Sequence, residues 1–392
     1  MEKQQLIAAI HPRLTAVRRD LHAHPELAFA ETRTADIVAQ CLGELGIEVH
    51  RGLARTGVVG RLRAGGGTGS IGLRADMDAL PLAEINEFAH RSTHAGRMHA
   101  CGHDGHTTML LGAAEVLART RAFDGTVHFI FQPAEEMAGG GKLMVDDGLF
   151  DLFPMDSVYS LHNWPGLGVG EFAVHPGPMM AGADVFEIRL RGRGAHAAMP
   201  HQGRDVILAG TALVQALQSL VARNVNPQDA AVVSVTRFNA GHGDNVLPDE
   251  AVLGGTVRML RPDVRSLLED GMRRVCRGIE SAFEVVVDLD YRFGYPPTVN
   301  AEGPTALAER VARRCFGDAC VHTGMDPAMG SEDFAFLAEK VPACYAWLGN
   351  GSSEGGCVVH SPKYDFNDAA IPHGVRYWVE LVEAALAPGS RG

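Results

Sequence analysis

Apolar residues return at helical spacing from the start of the chain. Leu6, Ile7, Ile10, Leu14, Val17 and Leu21 predict an amphipathic helix over residues 4–23. Ala35, Val38, Leu42 and Leu45 predict a second helix over 32–45, with Gly46 as its stop. Short apolar runs then alternate with helical patterns. Strands are expected at 58–62, 70–74, 126–131 and 157–161, and a helix from Thr107 to Arg119. Such alternation predicts an α/β domain built on a mainly parallel sheet.

The pattern changes near residue 183. Asp184 to Leu190 alternates with period two, as a strand with one wet face does. A helix at 204–222, strands at 230–239 and 250–260, a helix at 262–282 and a strand at 284–293 complete a βαββαβ order, the ferredoxin-like arrangement. Tyr295-Pro296-Pro297 punctuates its end. The expected fold is therefore α/β with two domains. Residues 1–182 and 296–392 form the sheet domain, and 183–295 form an inserted α+β domain. A length of 392 residues also exceeds what one hydrophobic core ordinarily serves.

Bulk composition narrows the partners. A net charge of −12 argues against nucleic acid, whose phosphates call for a basic surface. No apolar run is expected to span a bilayer, and the N-terminus does not read as a signal peptide. Seven cysteines at irregular spacing make no disulfide framework, and the expected compartment is reducing and cytoplasmic.

Candidate chemistry gathers at four places. Cys101-Gly102-His103-Asp104-Gly105-His106 sets a thiol and imidazoles at the mouth of a predicted helix, where Asp104 is a candidate cap and the helix end favours a thiolate. Glu135-Glu136 follows a strand, and adjacent carboxylates can divide their labour between binding a metal and moving a proton. His162 follows another strand, and His360 is read as a strand-end residue near the C-terminus. Taken singly, each of these two histidines reads as an ordinary polar residue in a chain that has 18. Together with Cys101 and Glu136 they form a donor set for a transition metal. Sites in open α/β sheets gather beyond the carboxyl ends of strands, so residues distant in sequence can meet there.

Longer motifs carry a family resemblance. They are Arg74-Ala75-Asp76-Met77-Asp78-Ala79-Leu80-Pro81, His99 to His106, Phe131-Gln132-Pro133-Ala134-Glu135-Glu136, Gly192-Arg193-Gly194-Ala195-His196-Ala197-Ala198, Gly330-Ser331-Glu332-Asp333-Phe334 and His360-Ser361-Pro362. They resemble the M20 metallopeptidases, in the branch of N-acyl-amino-acid amidohydrolases that includes hippurate hydrolase. The resemblance spans nearly the whole chain. It implies a catalytic domain and a smaller lid that forms a homodimer or homotetramer, and two divalent ions (Zn, Mn, Co or Ni). It implies Cys101, His103, Glu136, His162 and His360 as ligands and Glu135 as general base. His196 resembles the family's lid histidine, a candidate for stabilising the oxyanion.

Asn245 and Arg258 are candidate anchors for a substrate carboxylate. Other branches begin their site with His-x-Asp, where this chain reads Asp76-Met77-Asp78. Asp78 and His106 are thus candidates for supporting the ligands. The expected activity is hydrolysis of N-benzoyl or N-acetyl amino acids. A dipeptidase or carboxypeptidase of the same fold and a non-catalytic metal-stabilised binding module are the alternatives.

Overall fold

The structure, a computed structural model, describes residues 3–137 and 139–388. The chain divides into two compact units. One takes the N-terminal part through Met179, Val299–Asp326 and the C-terminal part from Asp333; the other takes Met180–Thr298 and Pro327–Glu332. The short return segment 327–332 thus joins the second unit, although the pattern of apolar residues assigns it to the first.

The first unit is built on an eight-stranded sheet. Its strand order is Glu48–Leu53, Gly57–Ala64, Gly125–Gln132, Ser70–Asp76, Ser157–Trp164, Ala343–Gly349, Phe172–Ala173, Val321–His322. The centre is parallel: Ser70–Asp76 runs alongside both Gly125–Gln132 and Ser157–Trp164, which in turn runs alongside Ala343–Gly349. Helices cover this centre, so its strands are buried on both faces and read as continuous apolar runs. The helix His103–Thr120 packs against Lys3–Ala23 and Ile371–Ala385, with Leu14, Leu110, Leu111 and Val375 in the shared core. The parallel strands end together near Asp76, Gln132 and His162, and the loops that follow them carry most of the chemistry-bearing residues.

Two local expectations change. The helix predicted from Thr107 begins at His103, and its N-cap is Gly102 in a left-handed conformation, with no side-chain cap. Asp104 lies inside the first turn and is fully buried. It therefore pairs with cations of the neighbouring helix and does not cap its own: His22 Nδ1 donates to it at 2.8 Å, and Arg18 Nη1 lies at 3.6 Å. His360 is not at a strand end. It occupies a turn with φ +63°, and its N–H donates to Ala100 O at 2.7 Å. The strand Ala343–Gly349 and the helices Glu302–Phe316 and Ile371–Ala385 are additions to the sequence-based reading.

In the second unit, Gly182–Arg191 pairs antiparallel with Glu250–Met259 and Val286–Tyr295, and Ala231–Ala240 pairs with Glu250–Met259. The resulting order is the ferredoxin-like one. Helices Val206–Asn224 and Pro262–Phe283 bury Leu213, Leu217, Leu268 and Met272 against Ile188 and Leu253. Asp184 is buried between Arg265, the Tyr291 hydroxyl (2.8 Å) and the Gly294 N–H (2.9 Å), which ties this sheet to its second helix. Val206–Asn224 is long and apolar enough by length and composition to cross a membrane, contrary to the reading of the sequence. Here one face of it forms core on the sheet, as helices of globular domains do.

Candidate metal centre

Each side chain of the centre is aimed by a specific piece of backbone. Gly102, with φ +97°, turns the chain between Cys101 and the helix that opens at His103. This places the Cys101 Sγ 3.4 Å from His162 Nε2, which projects from the strand Ser157–Trp164. His162 Nδ1 donates to Asn163 O at 2.7 Å, which leaves Nε2 as the atom turned to the thiol. Beyond the strand Gly125–Gln132, Ala134 adopts φ +57°, and the two carboxylates follow it. Glu136 Oε2 lies 3.3 Å from His360 Nε2.

Ligand atoms of Cys101, Glu136 and His360 lie within 4.8 Å of one another, as do those of His103, Glu135 and Glu136. Glu136 is common to both groups. A third such group joins His103 and His162 to Asp76 and His106. The chain thus brings Cys101, His103, Glu135, Glu136, His162 and His360 into one neighbourhood of the first unit.

Supporting contacts orient these groups. His103 Nδ1 donates to the Asp78 carbonyl at 2.9 Å, with Asp78 Oδ1 at 3.3 Å, while Asp78 Oδ2 accepts the Glu136 N–H at 3.0 Å. Asp78 therefore holds two of the candidate ligands at once. Both ring nitrogens of His106 are engaged. Nδ1 donates to Asp76 Oδ1 at 2.6 Å, and Nε2 accepts the Asn163 N–H at 2.9 Å. This pattern fits an orienting residue and leaves no ring nitrogen to bind an ion.

Two atoms test whether these residues suit a cation. His103 Nε2 and Glu136 Oε1 are buried and have no hydrogen-bond partner among the described residues, and a buried acceptor without a partner is costly. The charge around them is also one-sided. Burial pushes the Cys101 thiol up, and the carboxylates of Glu136 and Glu135 push it further. Burial alone would lower His103, but Asp76, Asp78 and Glu136 outweigh it and bring it to about 10. Acidic groups thus surround the buried donors, and a cation would offset them. The sulfur, nitrogen and oxygen donors suit a divalent transition metal.

The chain matches the model of peptidase family M20/M25/M40 over residues 72–384. It belongs to that family. It is 42% identical over 365 residues to the hippurate hydrolase of Campylobacter jejuni, covering 93% of this chain and 94% of that one. It is 38% identical over 381 residues to the N-acetylcysteine deacetylase of Bacillus subtilis, covering 96% and 98%. Among solved structures, it superposes with TM-score 0.85 and 34% identity on a Bacillus subtilis dinuclear metal-binding peptidase from the M20 family, covering 97% and 99%. The chain is thus an enzyme, a metal-dependent amidohydrolase of the M20 family.

The remaining sequence-derived candidates belong to the second unit. His196 is exposed on a two-residue strand paired with Val246–Leu247, and the Ala197 N–H donates to Asn245 O at 2.9 Å, so His196 and Asn245 are neighbours. Arg258 is half-buried on Glu250–Met259, hydrogen-bonded to Thr256 and Val257 O, with no carboxylate partner among the described residues.

Other M20 motif residues were named in the sequence without a role. Arg74 is fully buried: Nε donates to Gln132 Oε1 at 2.8 Å, Nη1 to Asp76 Oδ2 at 2.8 Å and Nη2 to Asp333 Oδ1 at 3.0 Å. The available signal was an arginine and an aspartate at i and i+2 in an otherwise apolar strand, where two charges on one face call for partners.

Proposed function

We propose that this enzyme hydrolyses the amide bond of N-acyl amino acids, with N-benzoyl and N-acetyl derivatives as the first substrates to test. The observation that carries the reading is the joint placement of Cys101, His103, Glu136, His162 and His360 around one region, with the Glu135 carboxylate beside them. The names of the M20 relatives, a hippurate hydrolase and an N-acetylcysteine deacetylase, support the substrate class.

In this reading Cys101, His103, Glu136, His162 and His360 would hold two divalent ions between them. Bound there, Zn²⁺, Mn²⁺, Co²⁺ or Ni²⁺ supplies Lewis acidity toward the scissile carbonyl and toward water. Asp78 keeps His103 and Glu136 aimed through its hydrogen bonds, and His106 acts through Asn163, whose N–H it accepts and whose carbonyl takes the His162 Nδ1–H. Glu135 removes the proton from the attacking water and passes it to the departing amine nitrogen, which must leave protonated. His196 is assigned to the oxyanion, and Asn245 and Arg258 to the substrate carboxylate. The exposure of His196, and the lack of an ion pair at the Arg258 guanidinium among the described residues, support those roles. Residues 183–295 are proposed as the lid and as the surface of a homodimer or homotetramer, and the compartment is proposed as cytoplasmic.

The test is an activity profile of metal-reconstituted protein on N-benzoyl-glycine, a series of N-acetyl amino acids and a series of dipeptides. Turnover of the acyl amino acids above the dipeptides is expected. Preference for the dipeptides would make the enzyme a peptidase, and inactivity on all of them with metal bound would overturn the reading.

A further inference from the structure

Glu31 stands 103 residues before Ala134 in sequence, yet it is fully buried beside the turn that carries two of the centre's side chains. Its two carboxylate oxygens take different donors. Oε1 accepts the Ala134 N–H at 2.9 Å, and Oε2 accepts the Thr56 hydroxyl at 2.7 Å. Ala134 is a residue with a Cβ at φ +57°, a conformation that costs about 1–2 kcal/mol outside glycine. Something must hold it there. On its other side, Ala134 O accepts the Gly140 N–H at 3.0 Å. Gly140 can be nothing larger, because a Cβ would sit 1.7 Å from Pro133 O.

The left-handed residue decides where the next two side chains go. Immediately after it, Glu135 Oε1 accepts the Asp333 N–H at 3.4 Å. Glu136 is held through its N–H by Asp78 at 3.0 Å, and its carboxylate faces His360. The reversed dihedral at Ala134 sets the direction in which the segment carrying both carboxylates leaves the strand.

We propose that Glu31 is a positioning residue: by anchoring the Ala134 N–H it holds the left-handed turn, and so fixes the path on which the segment bearing Glu135 and Glu136 leaves the strand and reaches the proton and cation positions. This rests on the roles assigned to those two residues above. A carboxyl group is expensive to bury, and burial pushes Glu31 up to about 7. Its place in the core is explained if it supplies a function that an apolar side chain could not.

The experiment compares Glu31→Leu, Glu31→Gln and Thr56→Val with wild type. It reads melting temperature, the affinity of metal-stripped protein for Zn²⁺ by direct titration, and kcat and KM on N-benzoyl-glycine. Glu31→Leu removes the acceptor for Ala134 and is expected to weaken Zn²⁺ binding and lower kcat by about tenfold or more, with KM changed far less. Glu31→Gln keeps an acceptor for Ala134 and can donate to Thr56, so it should recover most of both losses. Thr56→Val breaks the other hydrogen bond of Glu31; it should lower the melting temperature while leaving Zn²⁺ affinity and kcat within about threefold.

Wild-type Zn²⁺ affinity and kcat in Glu31→Leu would overturn the proposal. So would losses in Thr56→Val that track those in Glu31→Leu, which would make Glu31 merely structural. Should Glu31→Leu fail to fold, Glu31→Ala, which leaves room for water, is judged by the same losses. If the wild type turns over no acyl amino acid, the substrate reading fails, while the Zn²⁺ titration still decides the part played by Glu31.

Discussion

Adding one methyl group at Gly102 should damage both stability and metal binding. At φ +97° a Cβ is strained wherever it points, at a cost of about 1–2 kcal/mol or more. In this structure it points at Asn163 Nδ2, 2.2 Å away, and at the Tyr364 hydroxyl, 2.5 Å away. Those atoms cannot move freely. Asn163 Nδ2 donates to Cys101 O at 2.6 Å, and the Tyr364 hydroxyl donates to Asn163 Oδ1 at 2.8 Å, all of it buried. Relieving the clash breaks one or both bonds, each costing about 1–3 kcal/mol where the freed group stays buried.

With one of the two bonds lost, the sum for Gly102→Ala is about 2–5 kcal/mol. That corresponds to a fall in melting temperature of about 4–20 °C for a domain of this size. Because Asn163 adjoins His162 and Gly102 adjoins both Cys101 and His103, Zn²⁺ affinity should also fall, by about tenfold or more. Calorimetry and titration of metal-stripped protein measure the two effects. A melting temperature within about 2 °C of wild type, with unchanged affinity, would refute the reasoning by showing that the Asn163–Tyr364 pair yields at little cost.

Other outcomes follow from the same contacts. Glu135→Gln should retain its metal by elemental analysis while kcat falls by about 10²–10⁴; wild-type turnover would remove Glu135 from the chemistry. Cys101→Ala should bind less metal per chain, and an unchanged stoichiometry would strike Cys101 from the ligands.

His22 supplies a pH test. Burial alone would lower it, but its bonds to Asp104 and Glu84 outweigh burial and bring it to about 9, with Arg18, His90 and His99 also facing it. A histidine raised in the folded state stabilises fully below its unfolded value of about 6.5, and that stability is lost as pH rises through about 9. The melting temperature of wild type should therefore fall more steeply than that of His22→Gln between about pH 7 and 10; parallel curves would exclude the ion pair as a contributor.

The two-domain α/β architecture was legible in the sequence because its signals are local. Period 3.6 in residues 4–23 and period two in 184–190 report which side of each element meets a core. Elements near the C-terminus were less legible. The strand Ala343–Gly349 is a short apolar run buried on all sides, which periodicity cannot tell from a helix segment. Asp104 was misread for a related reason. An acid at a helix start is a capping signal when solvent surrounds it, but here the Lys3–Ala23 helix lies against that turn and supplies cations. The left-handed backbone at Ala134 left no trace, since alanine carries no signal for φ above zero.

What the sequence determined by itself was chemical: which donors exist, that a thiol, imidazoles and paired carboxylates flank the elements of an α/β sheet, and which family such motifs mark. What only the tertiary structure decided was relational. It placed Glu31 under Ala134, joined Arg74 to Asp333, and gave His106 two partners that occupy both its nitrogens. The reason is physical. A side chain's identity fixes what it can donate or accept, whereas the burial and distance that make a contact count are set by chain segments up to hundreds of residues apart.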